Sequence, residues 1–214
     1  MDILRLDLGT INVVDDPWPV HGFVVLHESL GPVLVDTGCG GPDGLLRQYR
    51  VVNRRVADAL AAHSLSPADV RLVVNTHLHF DHCGQNPAFP HARMLVQRRE
   101  RERVQRDEPD IEEWLTTAGV KFELVDGDVE LADGLRIVAT PGHTSGHQCV
   151  IASTPHGSDL FVGDAAMRRS VWDSPTPHNL PPLQAADLDS WQSSLQRLRA
   201  LTPDRVHFCH DAAT

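Results

Sequence analysis

Apolar and polar residues alternate along Ile3-Leu4-Arg5-Leu6-Asp7-Leu8, the period-two pattern of a half-buried strand. Residues 22–27 and 32–35 predict a second and a third strand, separated by a turn that contains glycine. Over residues 43–62 the period changes. Leu45, Leu46, Tyr49, Val52, Val56 and Leu60 recur at helical spacing and predict one helix. Pro67-Ala68-Asp69-Val70 leads into a strand at 71–75, and another strand is expected at 93–96. A helix over 97–118 follows, interrupted near Pro109 because proline lacks the N–H that a helix interior needs. Short strands are expected at 121–125, 129–131, 135–140, 148–153 and 160–163. Residues 187–201 form an amphipathic helix, with Leu188, Trp191, Leu195 and Leu198 on one face, and 205–208 is the last strand.

Strands and helices run through both halves with no linker-like break, so the chain reads as one domain over residues 1–214. Pattern alone gives α/β or α+β. No segment is of low complexity and no internal repeat is clear. The proline-rich stretch from Pro175 to Pro182 reads as an extended loop.

Composition narrows the function classes. The chain has 214 residues, 41% hydrophobic and 22% charged, ordinary values for a soluble domain with a sizeable core. A net charge of −10 argues against a nucleic-acid partner. The N-terminus, Met1-Asp2-Ile3-Leu4-Arg5, lacks a basic region followed by an apolar one, and no stretch approaches the ~20 apolar residues of a membrane span. The expectation is a cytoplasmic enzyme with a small-molecule substrate and no membrane partner. A homodimer follows only from the base rate of C2 assemblies. The four cysteines, Cys39, Cys83, Cys149 and Cys209, form no C-x-x-C pair. Cys83 and Cys209 flank His82 and His210; packing as small hydrophobes is the favoured reading over a place near a metal.

The chemistry concentrates in Thr76-His77-Leu78-His79-Phe80-Asp81-His82, with three imidazoles and a carboxylate inside six residues. Val73 and Val74 read as a buried strand running into it. Buried His and Asp must be paired, so neither core nor plain surface explains the packet, whereas imidazole and carboxylate are the donors that suit zinc and similar metals. More donors follow where strands end: His143 and His147 in Pro141-Gly142-His143-Thr144-Ser145-Gly146-His147, Asp164 after Phe161-Val162-Gly163, and His210 in Val206-His207-Phe208-Cys209-His210. Loops at one edge of a rigid sheet are where sites are commonly built.

This set, in this order, resembles the metallo-β-lactamase superfamily of binuclear metallohydrolases, from Asp36-Thr37-Gly38 through His210. The resemblance implies an α+β fold, the αββα four-layer sandwich. It implies a first metal on His77, His79 and His143, a second on Asp81, His82 and His210, and Asp164 bridging the two. Two divalent ions, zinc first with iron or manganese as alternatives, would sit ~3.5–4 Å apart and share a hydroxide that attacks a small ester, lactone, thioester or related electrophile. Asp81 is then both a ligand and the catalytic orienter or proton acceptor. Asp36 is a candidate to fix a ligand's second ring nitrogen, or else a turn residue before Gly38. His147 is expected to be supporting rather than a ligand.

The segment from Thr76 through His82-Cys83-Gly84-Gln85-Asn86 looks like the branch of N-acyl-homoserine lactonases and organophosphate hydrolases. Lactonases of that branch carry a tyrosine three residues after the bridging aspartate; here the position is Met167, and Tyr49 is the only tyrosine. The alternative on the same fold is a persulfide dioxygenase with one iron, against which the complete second donor set counts. Glyoxalase II uses a C-terminal helical region that this chain lacks.

Substrate-binding candidates are Arg168 and Arg169, soon after Asp164, which would take an anionic group or else sit in a solvated loop. Trp18, His21 and Trp172 would line a pocket or be ordinarily half-buried. The run Gln97-Arg98-Arg99-Glu100-Arg101-Glu102-Arg103 reads as a solvated helix face laced by i,i+4 pairs. His63, His91, His156 and His178 receive no role.

Overall fold

The computed structural model describes residues 1–13, 16–174 and 184–212. Among these, the strands form two sheets. The first contains β1 (Asp2–Val13), β2 (Asp16–His27), β3 (Gly31–Val35), β4 (Val52–Asn53), β5 (Leu72–Val74), β6 (Arg93–Gln97) and β7 (Glu123–Val125), in the order β4-β1-β2-β3-β5-β6-β7. The second contains β8 (Val129–Ala132), β9 (Leu135–Ala139), β10 (Gln148–Thr154), β11 (Gly157–Phe161) and β12 (Arg205–His207), in the order β12-β11-β10-β9-β8.

Period-two alternation decides which residues meet. Phe23, Val25, Val33, Val35 and Val74 of the first sheet pack on Leu135, Ile137, Val150 and Phe161 of the second. The opposite face of the first sheet, with Leu6, Leu8, Val24, Leu34 and Val73, is covered by Val56 and Leu60 of helix α2 (Val56–Ala61). Val138, Cys149, Ile151 and Leu160 turn outward from the second sheet onto Trp191, Leu195 and Leu198 of α6 (Leu188–Ala200). Helix, sheet, sheet, helix is the order of layers, and the α+β sandwich expectation holds.

Several element boundaries differ from those expected. The helix over 43–62 is two short helices, α1 (Asp43–Gln48) and α2, with β4 between them. Arg50 takes a left-handed φ of 44° and the Val51 N–H closes onto the Leu46 carbonyl, which ends α1. Val52 and Asn53 then pair with Thr10 and Gly9 of β1. Helical spacing continued by coincidence through a strand. β1 and β2 also run further than alternation indicated, because Thr10, Asn12, Pro17 and Pro19 obscure the pattern while Thr10↔Pro19 and Ile11↔Trp18 stay in register. The 97–118 helix divides at Pro109 as expected, into α3 (Arg98–Asp107) and α4 (Pro109–Thr117). The strand of the 160–163 region stops at Phe161, and a 3-10 turn follows at Gly163–Ala166. A short helix, α5 (Arg169–Asp173), has no counterpart in the sequence pattern. The expected loop at 175–182 and His178 lie outside the described residues.

The mixed-charge run is a solvated face only at Arg98, Arg99 and Glu102. Glu100 is fully buried and Arg103 nearly so. Arg101 pairs with Glu112 of α4 rather than along its own helix.

Candidate metal centre

Every donor singled out in the sequence follows the end of a strand. His77, His79, Asp81 and His82 come after β5, His143 after β9, Asp164 after β11 and His210 after β12. Two sheets therefore deliver seven side chains to one edge of the sandwich.

They arrive as two groups. His77, His79, His143 and Asp164 present ligand atoms within 4.8 Å of one another, and so do Asp81, His82 and His210. In the first group His79 Nδ1 lies 2.8 Å from His77 Nε2 and 3.1 Å from His143 Nε2. In the second, His210 Nε2 is 3.5 Å from Asp81 Oδ2. Asp164 faces both. Its Oδ2 is 3.4 Å from His143 Nε2, and its Oδ1 is 3.4 Å from both His82 Nε2 and His210 Nε2. Donors at ~2.0–2.2 Å from a shared ion lie about 3.3 Å from each other in a tetrahedron, so these separations fit a metal in each group. His82 Nε2 and Asp164 Oδ1 are buried with no hydrogen-bond partner among the described residues, as atoms reserved for an ion would be.

The outward nitrogens are fixed. His143 Nδ1–H donates to the Gln184 carbonyl at 3.1 Å and His210 Nδ1–H to the Pro19 carbonyl at 2.8 Å. A carbonyl only accepts, so each Nε2 keeps its lone pair for the site. His82 Nδ1 lies 2.8 Å from Asp36 Oδ2, and Asp36 also accepts from the Thr76 N–H and hydroxyl, both at 2.7 Å. Thr76 Oγ1 in turn lies 3.1 Å from His77 Nδ1. Asp36 thus serves the ligands, at a left-handed φ of 59° that aspartate tolerates. His79 is reversed: its Nδ1 faces the site and its Nε2 faces Glu108 Oε1 at 3.6 Å.

Electrostatics separates the two groups. Burial, then the neighbouring imidazoles, hold His77 and His79 well below the ordinary histidine pKa. Burial also opposes charge on His82, but Asp164, Asp36 and Asp81 outweigh it and raise its pKa well above normal. Burial pushes the Asp164 carboxyl up, yet His82, His210 and His143 prevail and hold it well below the usual range. His147 is supporting, as expected. It accepts from the Asp164 N–H at Nε2 (3.0 Å), and its Nδ1 lies 2.8 Å from Thr140 Oγ1. A Cβ on Gly163 would come within 2.7 Å of that Nε2, so the bend presenting Asp164 requires glycine. The four cysteines are free and buried, and burial raises the Cys209 thiol to about 12; its Sγ lies within 4.8 Å of ligand atoms of Asp36 and His82.

The groups open into a cavity of about 540 Å³. His79, Asp81, His143, Asp164 and His210 line its floor. Ile11, Trp18, Leu45, Tyr49, Phe80, Ile111 and Met167 make apolar walls, and Asp107, Glu108 and Asp110 an acidic margin. Of the substrate candidates, Trp18 lines this cavity. Arg168 stacks on Trp18, its Cζ 4.4 Å from the ring centroid. Arg169, His21 and Trp172 lie elsewhere. Arg169 lines a separate cavity of about 360 Å³ with Arg5, Arg205 and His207, because α5 turns it onto Phe208. His21 is buried with Nε2–H donating to the Asp211 carbonyl (3.2 Å), and Trp172 packs under Arg199. Sequence reasoning missed Tyr49, Glu108 and Gln184. Gln184 Nε2 donates to the Asp164 carbonyl at 2.6 Å, a contact with no local signature.

Comparison with known proteins adds identity to geometry. Residues 15–210 match the family model of the metallo-beta-lactamase superfamily. The chain is 33% identical over 214 residues to the N-acyl homoserine lactonase AttM of Rhizobium radiobacter, covering 88% of this chain and 79% of that protein. It is 30% identical over 204 residues to an N-acyl homoserine lactonase of a Bacillus species, covering 87% and 79%. A crystal structure of a B. thuringiensis AiiA variant with N-decanoyl-L-homoserine bound at its active site superposes with a TM-score of 0.80 at 25% identity, covering 98% of this chain and 93% of that one.

Proposed function

The chain belongs to the metallo-β-lactamase superfamily, and on that premise we propose that it is a binuclear zinc hydrolase that opens N-acyl homoserine lactones or closely related lactones. The observation that carries this reading is Asp164, whose two oxygens are divided between two donor groups 3.4 Å away on either side. His77, His79 and His143 would hold one ion, Asp81, His82 and His210 the other, with Asp164 between. Two divalent ions bound there would supply ionised water at neutral pH and polarise a carbonyl.

The protein's own groups do the rest. The carboxylate of Asp81 stands at the cavity floor, where it orients the attacking hydroxide and, after attack, carries the proton of the added hydroxyl to the leaving alkoxide. Asp36, Thr76, Gln184 and Pro19 hold the ligand rings in one orientation, so little reorganisation accompanies the reaction. Trp18, Phe80, Ile111 and Met167 exclude water and take an acyl chain. The acidic margin of Asp107, Glu108 and Asp110 favours a neutral substrate over an anion. The phenol in the cavity wall is that of Tyr49, since position 167 is methionine.

The lactonase relatives favour hydrolysis over the iron dioxygenase alternative. We read residues 1–214 as one domain. No helix among the described residues is long and apolar enough to cross a membrane. A cytoplasmic location is supported by four unpaired, buried cysteines.

Ring opening releases a proton, so a pH-indicator assay tests the proposal. Turnover of N-acyl homoserine lactones that is abolished by a chelator and restored by zinc is the expected result. A zinc-loaded protein that leaves N-acyl homoserine lactones and simple γ- and δ-lactones intact would overturn it.

A further inference from the structure

We propose that Glu100 is a positioning residue that clamps together the two loops carrying the first metal's ligands. The inference rests on the reading that His77, His79 and His143 hold a metal.

Glu100 stands in the first turn of α3 with no exposure to solvent. A carboxylate without partners there would be strongly destabilising, so its partners reveal what it is for. Oε1 accepts from the Leu78 N–H at 3.0 Å, and Oε2 from the Gly146 N–H at 3.2 Å. Leu78 lies between His77 and His79, and Gly146 three residues after His143. One carboxylate thus bonds the main chain of a loop from the first sheet and a loop from the second. Gly146 makes the approach possible, because a Cβ there would run into the backbone N and Cα of Glu100.

The clamp extends to the third ligand. Arg103, one turn along α3, donates to Glu100 Oε1 through Nε (3.1 Å) and Nη2 (2.7 Å). Its Nη1 pairs with Glu108, the carboxylate 3.6 Å from His79 Nε2. Glu100 therefore acts on the backbone between His77 and His79 and, through Arg103 and Glu108, on the ring of His79.

A clamp and a merely stabilising ion pair differ in one readout. Losing a clamp weakens the metal site; losing a stabilising pair lowers the melting temperature alone. Asp159 supplies the comparison, being a fully buried carboxylate paired with Arg205 and His207 away from the metal centre. The test measures zinc affinity of metal-free protein by competition with a chromophoric chelator, and melting temperature of the same metal-free protein, for wild type, Glu100→Gln, Arg103→Lys and Asp159→Asn.

In Glu100→Gln the new amide keeps one acceptor oxygen and turns an NH2 group toward other donors. This variant is expected to weaken the tightest zinc site about 10- to 100-fold, the usual effect of losing an outer partner of a ligand. Arg103→Lys, which keeps the charge but not the fork, should show a smaller loss in the same site. Asp159→Asn should melt lower and bind zinc as wild type does. Wild-type zinc affinity in Glu100→Gln, whatever its melting temperature, overturns the clamp. If Glu100→Gln fails to fold, wild-type affinity in Arg103→Lys overturns it instead. A wild-type protein without tight zinc binding would instead contradict the metal reading on which the clamp depends.

Discussion

Asp36 Oδ2 lies 2.8 Å from His82 Nδ1, a buried contact between residues 46 positions apart. It joins the end of β3 to the metal-ligand packet after β5 and leaves His82 Nε2 free to face Asp164. Asp36→Asn tests it cleanly, because asparagine also accepts the left-handed φ and the change isolates charge from backbone strain. The expected outcome is a second zinc held about 10- to 100-fold more weakly, seen as metal content falling from two toward one per chain after dialysis. Retention of both ions would remove Asp36 from the account.

Asp81→Ala should do more. It removes a second-metal donor and the group assigned to move the proton. The prediction is a loss of the second ion and a fall in kcat of about 10²- to 10⁴-fold, with the circular dichroism spectrum unchanged. Hydrolysis at the wild-type rate would show that the mechanism is wrong.

The sequence leaves Arg168 either on an anionic substrate group or in a solvated loop; its guanidinium stacks on Trp18 in the cavity wall. The effect of Arg168→Ala is therefore on wall packing. KM should rise about two- to five-fold, for the ~0.5–1 kcal/mol of such a contact, and by the same factor for neutral and anionic substrates. A rise confined to anions would restore the charge-recognition role.

Asp159 provides a pH-dependent prediction outside the donor groups. Burial pushes its carboxyl up, but hydrogen bonds from Arg205 and His207 outweigh this and lower the pKa below its ordinary value. The folded state therefore binds this proton less readily than the unfolded state. The stabilisation is complete above the unfolded pKa of ~3.9 and is lost as pH falls through the lower folded value. Asp159→Asn should cost about 1–3 kcal/mol at pH 7. Its difference from wild type in denaturant titrations should shrink below about pH 4. A difference independent of pH would contradict this assignment.

The ligand packet is legible because its donors are adjacent in sequence and each follows an apolar strand. His143, Asp164 and His210 obey the same rule, and Asp36 is readable as the residue ending Val33-Leu34-Val35. What could not be read depends on contacts between distant segments. Glu100 and Arg103 sit in a run whose composition looks solvated, yet both are buried, with Gly146 packed against Glu100. Tyr49 looks like one turn of a long helix, but the chain turns at Arg50 and its ring becomes part of the cavity wall, 4.9 Å from that of Phe80. Arg168 and Arg169 are neighbours in sequence, yet α5 begins between them and sends the first onto Trp18 and the second onto Phe208.

The central claim is that seven side chains hold two metal ions. Metal analysis of protein purified without a chelating tag tests it most directly. About two zinc ions per chain are expected, falling to about one in Asp81→Ala. A single ion per wild-type chain, unchanged after incubation with excess zinc, would contradict it.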